Sequence, residues 1–326
     1  MDFTLDQLRD AADIVHQFVP PTAQYAWPLL AEEAGCAVWV KHENHTPIGA
    51  FKVRGGALYM RELIAREPKC PGVIAATRGN HGQSITVGAR AQGLNAVIVV
   101  PEGNNPEKNR AMKAQGADLI VHGDDFQAAL EHAQALAAER DLHMVPSFDD
   151  ALVRGVASYA LELFDTADPL DAVYVPIGLG SGICGVIAAR NALGIKTEII
   201  GVQAAGAPSY ALSFKSGQPV STNTIDTFAD GLATRVPVAE AVEMINANAA
   251  RVVTVSDQEI LEAQRLLLSA THNLAEPAGA APLAALLAER AVMAGKTVAV
   301  VVSGGNADAA NLRMLVSDVA GVGRSA

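Results

Sequence analysis

Lys52 lies in KHENHTPIGAFKVRGG (41–56), after a Gly-Ala-Phe turn and at the first position of a helical pattern carried by Val53, Ala57, Leu58 and Tyr59. An ammonium there meets the positive end of the helix dipole. That placement favours a lowered amine pKa or a covalent imine, the states that Schiff-base lysines use. A solvated surface lysine fits the same local pattern.

Three other segments have the same construction, a strand running into a polar or glycine-rich turn. In ATRGNHGQS (76–84) the run from Gly72 to Ala76 meets Thr77, Arg78, Gly79, Asn80 and His81, and then a helix begins. The free N–H groups at such a start form an anion nest suited to a carboxylate. His81 reads equally well as a hydrogen-bonded structural histidine, and is not assigned as a catalytic base. In VPIGLGSGICG (175–185), Gly178, Leu179, Gly180, Ser181 and Gly182 follow a strand and precede a helix from Val186 to Leu193. Glycines let the backbone approach a phosphate closely, although a tight strand–helix turn has the same composition. Ile183 breaks GxGxxG, and no Gly-Lys-Ser/Thr follows. In VVSGGNAD (301–308) the hydroxyl of Ser303 ends an apolar strand. It is suited either to a heterocyclic nitrogen or to capping a helix.

The elements that must position these turns are short Val/Ile-rich runs at 37–41, 72–76, 96–100, 118–121, 172–177, 198–202, 251–255 and 297–302. They show little polar alternation, as strands buried on both faces of parallel sheets do. Helical patterns separate them, among them 124–140 and 256–270, the latter opening on the capping box Ser256/Glu259. The expected class is α/β with two open, doubly wound, mainly parallel sheets, whose ligands bind beyond the carboxyl ends of the strands. Asp149 and Asp150 mark the best crossing point between domains. A net charge of −11 opposes binding to phosphate backbones, so nucleic acid is not an expected partner. Cys36, Cys70 and Cys184 are widely spaced and odd in number, as reduced cytoplasmic thiols are. The amphipathic, charged N-terminus does not resemble a signal peptide, and no apolar run reaches the roughly 18 residues of a membrane span.

Together, in this order and spacing, KHENHTPIGAFKVRG, TRGNHGQS, the GLGSG loop, TFADGLA (227–233), EPAGA (276–280) and SGGN resemble the fold-type II pyridoxal-phosphate family, in its threonine/serine dehydratase and serine racemase branch. The resemblance covers nearly the whole chain. It implies a large cofactor domain of 1–51 plus 149–326 and a small domain of 52–148, with the cofactor between them. Lys52 would then carry pyridoxal 5'-phosphate as a Schiff base, with Phe51 beside the ring and Asn80 on its 3-hydroxyl. Gly178, Leu179, Gly180, Ser181 and Gly182 would cradle the phosphate, and Ser303 would face the pyridine nitrogen. Thr77, Arg78, Gly79, Asn80 and His81 would receive the substrate carboxylate. A neutral serine at the nitrogen makes the ring a weaker electron sink, which suits β-elimination. The implied reaction is loss of water from L-threonine or L-serine to give a 2-oxo acid and ammonia. Freed Lys52 would take the α-proton, and the cofactor phosphate would protonate the departing hydroxyl.

Two departures narrow the resemblance. Arg78 stands where the racemase has its proton-donating serine, and an arginine stays charged, so racemisation is disfavoured. The acidic ligands of the family's divalent-cation site are replaced by Gln203, Ala207 and Ser209, so no metal is expected. The chain ends soon after SGGN, without the regulatory domain of biosynthetic threonine deaminases, which suggests a catabolic or specialised role. Arg78 and the Gly-Ala-Phe-Lys turn also admit a bulkier or acidic β-hydroxy amino acid, such as 3-phenylserine, 3-hydroxyaspartate or a hydroxyectoine-derived substrate. A nicotinamide-dependent oxidoreductase rests on the GLGSG loop alone, and Gln203 occupies the place of the acidic ribose ligand. Relatives are often homodimers, and that state is the expected one.

Overall fold

The structure is a computed structural model and describes residues 1–317. Ten strands form two sheets: β1 (Gln24–Ala26), β2 (Ala37–His42), β3 (Val73–Ala76), β4 (Ala96–Val100), β5 (Asp118–Val121), β6 (His143–Met144), β7 (Ala172–Pro176), β8 (Glu198–Ala204), β9 (Arg251–Val255) and β10 (Thr297–Val302). The larger sheet has the order β1-β2-β10-β7-β8-β9, and the smaller β5-β4-β3-β6. Only β1 runs antiparallel to its neighbour. Each of the eight anticipated runs is a strand. The two that were not anticipated, β1 and β6, are edge strands of three and two residues, too short for any periodicity to register.

Both sheets are covered on both faces, which is why their strands lack alternation. Tyr174, Ile200, Val202, Val298 and Val300 pack under the helices Asp257–Thr271 and Pro277–Ala288. Val173, Val175, Ile199 and Val301 face the helices Asp150–Thr166 and Ser181–Ala192. In the smaller sheet, Val73, Ala75 and Ile98 pack on the helices Lys52–Arg66 and Asn80–Ala91. Ile74, Val97 and Val99 pack on the helix Phe126–Glu139. The capping box at Ser256 forms as read, with Ser256 Oγ accepting from Glu259 N–H. No helix among the described residues is long and apolar enough to cross a membrane.

The helix Lys52–Arg66 is wedged between two others at backbone contact. A Cβ on Gly55 would lie 2.8 Å from Leu152 O, and one on Gly155 would lie 2.5 Å from Arg54 O. On the opposite side a Cβ on Gly56 would collide with Ser84, and one on Gly88 would lie 2.6 Å from Gly56 O. Arg54 bolts this helix in place. Fully buried, it donates to Glu43 (2.7 and 3.0 Å), Glu162 (2.6 and 3.0 Å) and Ser158 Oγ (3.0 Å). Lys41 Nζ donates to Glu162 at 2.5 Å, so two cations meet two carboxylates with their donors satisfied.

Candidate active site

Lys52 is the first residue of its helix, as its sequence position requires. The turn before it is tied to the end of β10. Phe51 N–H donates to Ser303 O at 3.0 Å, and Ala50 bridges Gly304. Lys52 Nζ donates to Ser181 Oγ at 3.0 Å and lies 5.0 Å from the Phe51 ring centroid. Burial without a carboxylate partner lowers its pKa from 10.5 to about 8. Its partial burial and its bond to Ser181 set this side chain apart from a freely solvated lysine.

The glycine loop that Lys52 reaches is an open set of donors. The backbone N–H groups from Gly178 to Ile183 find no acceptor among the described residues, although Gly180, Ser181, Gly182 and Ile183 are buried. Buried N–H groups in such a run call for an anion. The glycines are needed for the shape. Gly180 has φ 104°, and Gly178 leaves no room for a Cβ beside Gly231 O, whereas a Cβ on Gly182 would only touch the Phe51 ring at 3.5 Å. Gly231 belongs to the TFADGLA segment, in the short 3-10 helix Asp230–Leu232.

The smaller sheet presents a second donor set. The helix Asn80–Ala91 follows β3, and the N–H groups of Asn80, His81 and Gly82 have no acceptor among the described residues. Thr77 Oγ1 accepts from Gly79 N–H at 3.1 Å and holds the turn. Asn80 Nδ2 donates to Glu276 at 2.9 Å, and its Oδ1 accepts from Asn306 at 2.8 Å. His81 Nε2 is shut away without a partner. Burial and, secondarily, the Lys52 charge lower its pKa to about 3, so the ring stays neutral. Arg78 is exposed and has no partner among the described residues. Ser303 is buried, and its hydroxyl makes no hydrogen bond within them. The helix that begins after Ser303 starts only at Ala309, so the capping alternative does not apply.

The structure thus brings Lys52, Phe51, Ser181 and Ser303 together from different strand ends and places the Thr77–His81 turn on the opposing sheet. Three contributors were not singled out from the sequence. Glu276 was read only as part of a motif, yet its carboxyl holds Asn80 and its pKa is raised by burial. Asn306 braces the same side chain. Tyr159 donates to Gly182 O at 3.2 Å beneath the glycine loop.

An amine of lowered pKa beside a run of unpaired backbone N–H donors has the elements that a phosphorylated aldehyde would need. The chain belongs to the pyridoxal-phosphate dependent enzyme family, whose model matches residues 15–304, and its cofactor is pyridoxal phosphate. The chain is 36% identical to an L-threonine ammonia-lyase of Geobacter sulfurreducens, over 95% of this chain and 77% of that one. It is 30% identical to an L-threo-3-hydroxyaspartate ammonia-lyase of Saccharomyces cerevisiae, over 96% of each. Among solved structures it superposes on the processed form of threonine deaminase isoform 2 from Solanum lycopersicum. The TM-score is 0.89 at 28% identity, covering 97% of this chain and 94% of that one. The residues fit the cofactor, since unpaired N–H groups could take its phosphate and an amine of lowered pKa its aldehyde. They do not fit the divalent cation that the resemblance raised. Gln203 Oε1 is committed to the N–H groups of Tyr210 (2.8 Å) and Ala211 (3.0 Å), the Ala207 side chain offers no ligand atom, and Ser209 Oγ donates to Thr234 O, so no carboxylate stands at these positions.

Proposed function

We propose that the chain removes water from a β-hydroxy amino acid such as L-threonine or L-serine, releasing a 2-oxo acid and ammonia. The observation that carries this reading is the Lys52 amine, largely unprotonated above about pH 8 and held over the donor-lined glycine loop. The bound cofactor supplies an electron-withdrawing system that acidifies the α C–H of the amino acid joined to it. Gly178, Leu179, Gly180, Ser181 and Gly182 would hold its phosphate, Phe51 would flank its ring, Asn80 would take its 3-hydroxyl, and Ser303 would meet its ring nitrogen as a neutral partner. Lys52 Nζ removes the α-proton, and Ser181 Oγ holds that amine in position. Thr77, Arg78, Gly79, Asn80 and His81 form the turn that would receive the substrate carboxylate, at the unpaired N–H groups of its helix start. His81, neutral, neither gives nor takes a proton. A keto-acid assay across a panel of β-hydroxy amino acids tests the reading, and absence of product from every member overturns it.

A second reading has its own observation. Arg78 is a partnerless guanidinium at the substrate turn, and the yeast relative is named for a substrate with a second carboxylate. In that reading the substrate is a 3-hydroxyaspartate. Arg78→Ser then lowers kcat/KM for 3-hydroxyaspartate about tenfold or more and leaves threonine nearly unchanged. Equal effects on both substrates refute it. The division into 1–51 plus 149–326 and 52–148, a homodimer, a cytoplasmic setting and the lack of nucleic-acid partners belong to the same proposal. Sedimentation of the purified chain tests the dimer.

A further inference from the structure

Tyr210 lies in none of the segments singled out for chemistry, yet its hydroxyl touches the glycine loop. It is buried, in the helix Ser209–Ser216 that follows β8. Its Oη donates to Leu179 O at 2.8 Å and accepts from Val238 N–H at 3.1 Å. A Cβ on Gly180 would lie 3.3 Å from the same oxygen. Tyr210 is set in turn by Gln203, fully buried on β8, whose Oε1 accepts from the N–H groups of Tyr210 and Ala211 in the first turn of the tyrosine's own helix.

The geometry of one peptide unit gives this contact its consequence. Leu179 C=O and Gly180 N–H belong to the same trans peptide and point in opposite directions. A donor that holds Leu179 O on the Tyr210 side therefore turns Gly180 N–H to the other side, the side of the unpaired donors. Gly180, at φ 104°, has the freedom to rotate away if that hold is lost. Burial raises the Tyr210 pKa, so the hydroxyl keeps its proton and remains a donor.

We infer that Tyr210 is a positioning residue of the phosphate cradle: it aims the Gly180 N–H at the cofactor phosphate, and Gln203 fixes its helix for that task. The inference rests on the cradle assignment above. It makes one demand that a general packing role does not. Loss of the hydroxyl should weaken binding of the phosphorylated cofactor and spare its dephosphorylated form.

The test compares the full-length wild-type chain, Tyr210→Phe and Tyr174→Phe, each stripped of cofactor and titrated with pyridoxal phosphate and with pyridoxal. Tyr174 also has a buried hydroxyl bond, but to Glu289 rather than to the cradle. For Tyr210→Phe the Kd for pyridoxal phosphate should rise about tenfold, the scale of one buried hydrogen bond, with pyridoxal unchanged within about twofold. Tyr174→Phe should leave the ratio of the two affinities at the wild-type value. A parallel loss for both ligands in Tyr210→Phe, or no loss for either, overturns the positioning role. If the wild-type chain binds pyridoxal as tightly as pyridoxal phosphate, the cradle assignment itself fails, and that failure is read separately. Gln203→Ala should move the ratio in the same direction by a smaller factor, and an unmoved ratio there removes Gln203 from the inference.

Discussion

Two helix starts lie near Lys52 and differ in how they are held. The Gly178–Ile183 start is sunk in the larger sheet unit, and hydroxyls of Tyr210 and Tyr159 pin two of its carbonyls from behind. The Thr77–His81 start has no such backing. Its turn is held by Thr77, whose N–H donates to Val99 O and whose Oγ1 accepts from Gly79 N–H, and by Asn80 reaching across to Glu276 and Asn306, while Arg78 stands in solvent. Both offer unpaired N–H groups to an anion. The braced one suits a phosphate that stays, because pre-set donors bind without reorganising. The lightly held one suits a carboxylate that enters and leaves with each turnover. Lys52 sits between them, on a helix wedged against the helices of both units.

The largest expected effect comes from removing what the two starts share. Lys52→Ala should lower keto-acid formation by about three orders of magnitude or more while leaving the circular dichroism spectrum unchanged. Undiminished turnover would refute the assignment of the α-proton to this amine. Next is the bolt that fixes the Lys52 helix. Arg54→Met strips the buried Glu43 and Glu162 of their guanidinium and should lower the unfolding free energy by about 3–5 kcal/mol in urea titration. A loss below about 1 kcal/mol would mean that the cluster is not the anchor described.

The wedge gives the sharper contrast between the two sides. Gly88→Ala adds a methyl where a Cβ meets Gly56 O at 2.6 Å, on the side of the carboxylate turn. Overpacking of this kind costs about 1–3 kcal/mol. It should raise KM for the amino acid with little change in affinity for pyridoxal phosphate. The opposite split would reverse the roles given to the two starts.

The strands were legible because β-branched runs such as AVIVV and TVAVVV have one good use, a sheet covered on both faces. The four turns were legible because each follows such a run. What stayed hidden depends on contacts across long stretches of chain. Glu276 meets Asn80 across 196 positions, and Tyr210 meets Leu179 across 31. Nothing local in EPAGA or APSYALS announces either bond. Arg54, in KVRGG, has the look of a solvated helix arginine, yet it is fully buried. Lys52 carried two readings, and its partial burial and its bond to Ser181 favour one of them.

The Lys52 amine also predicts a pH dependence. Its folded pKa of about 8 lies below the ordinary 10.5. Between these values the folded chain binds fewer protons at this site than the unfolded chain does, so the site's contribution to stability rises with pH across that window. Below about 8 the folded chain bears the charged form in a partly buried place. In the cofactor-free chain, reductive methylation of Lys52 followed by mass spectrometry should reach half its maximal rate near pH 8. A midpoint near 10.5 would return Lys52 to the solvated reading.

The smallest expected effect concerns the region behind the braced start. A divalent cation near β8 would need carboxylates. At that strand end Gln203 gives its carboxamide oxygen to two helix N–H groups, and that helix carries the tyrosine that pins Leu179. An amide oxygen already accepting two hydrogen bonds is a poor ligand for a hard cation, which prefers charged oxygen. Activity and thermal stability should therefore change less than about twofold and less than about 1 °C on treatment with a chelator. A large loss restored by magnesium would mean that a cation, rather than the Gln203–Tyr210 contact, holds the cradle, and the contrast between the two helix starts would need a different cause.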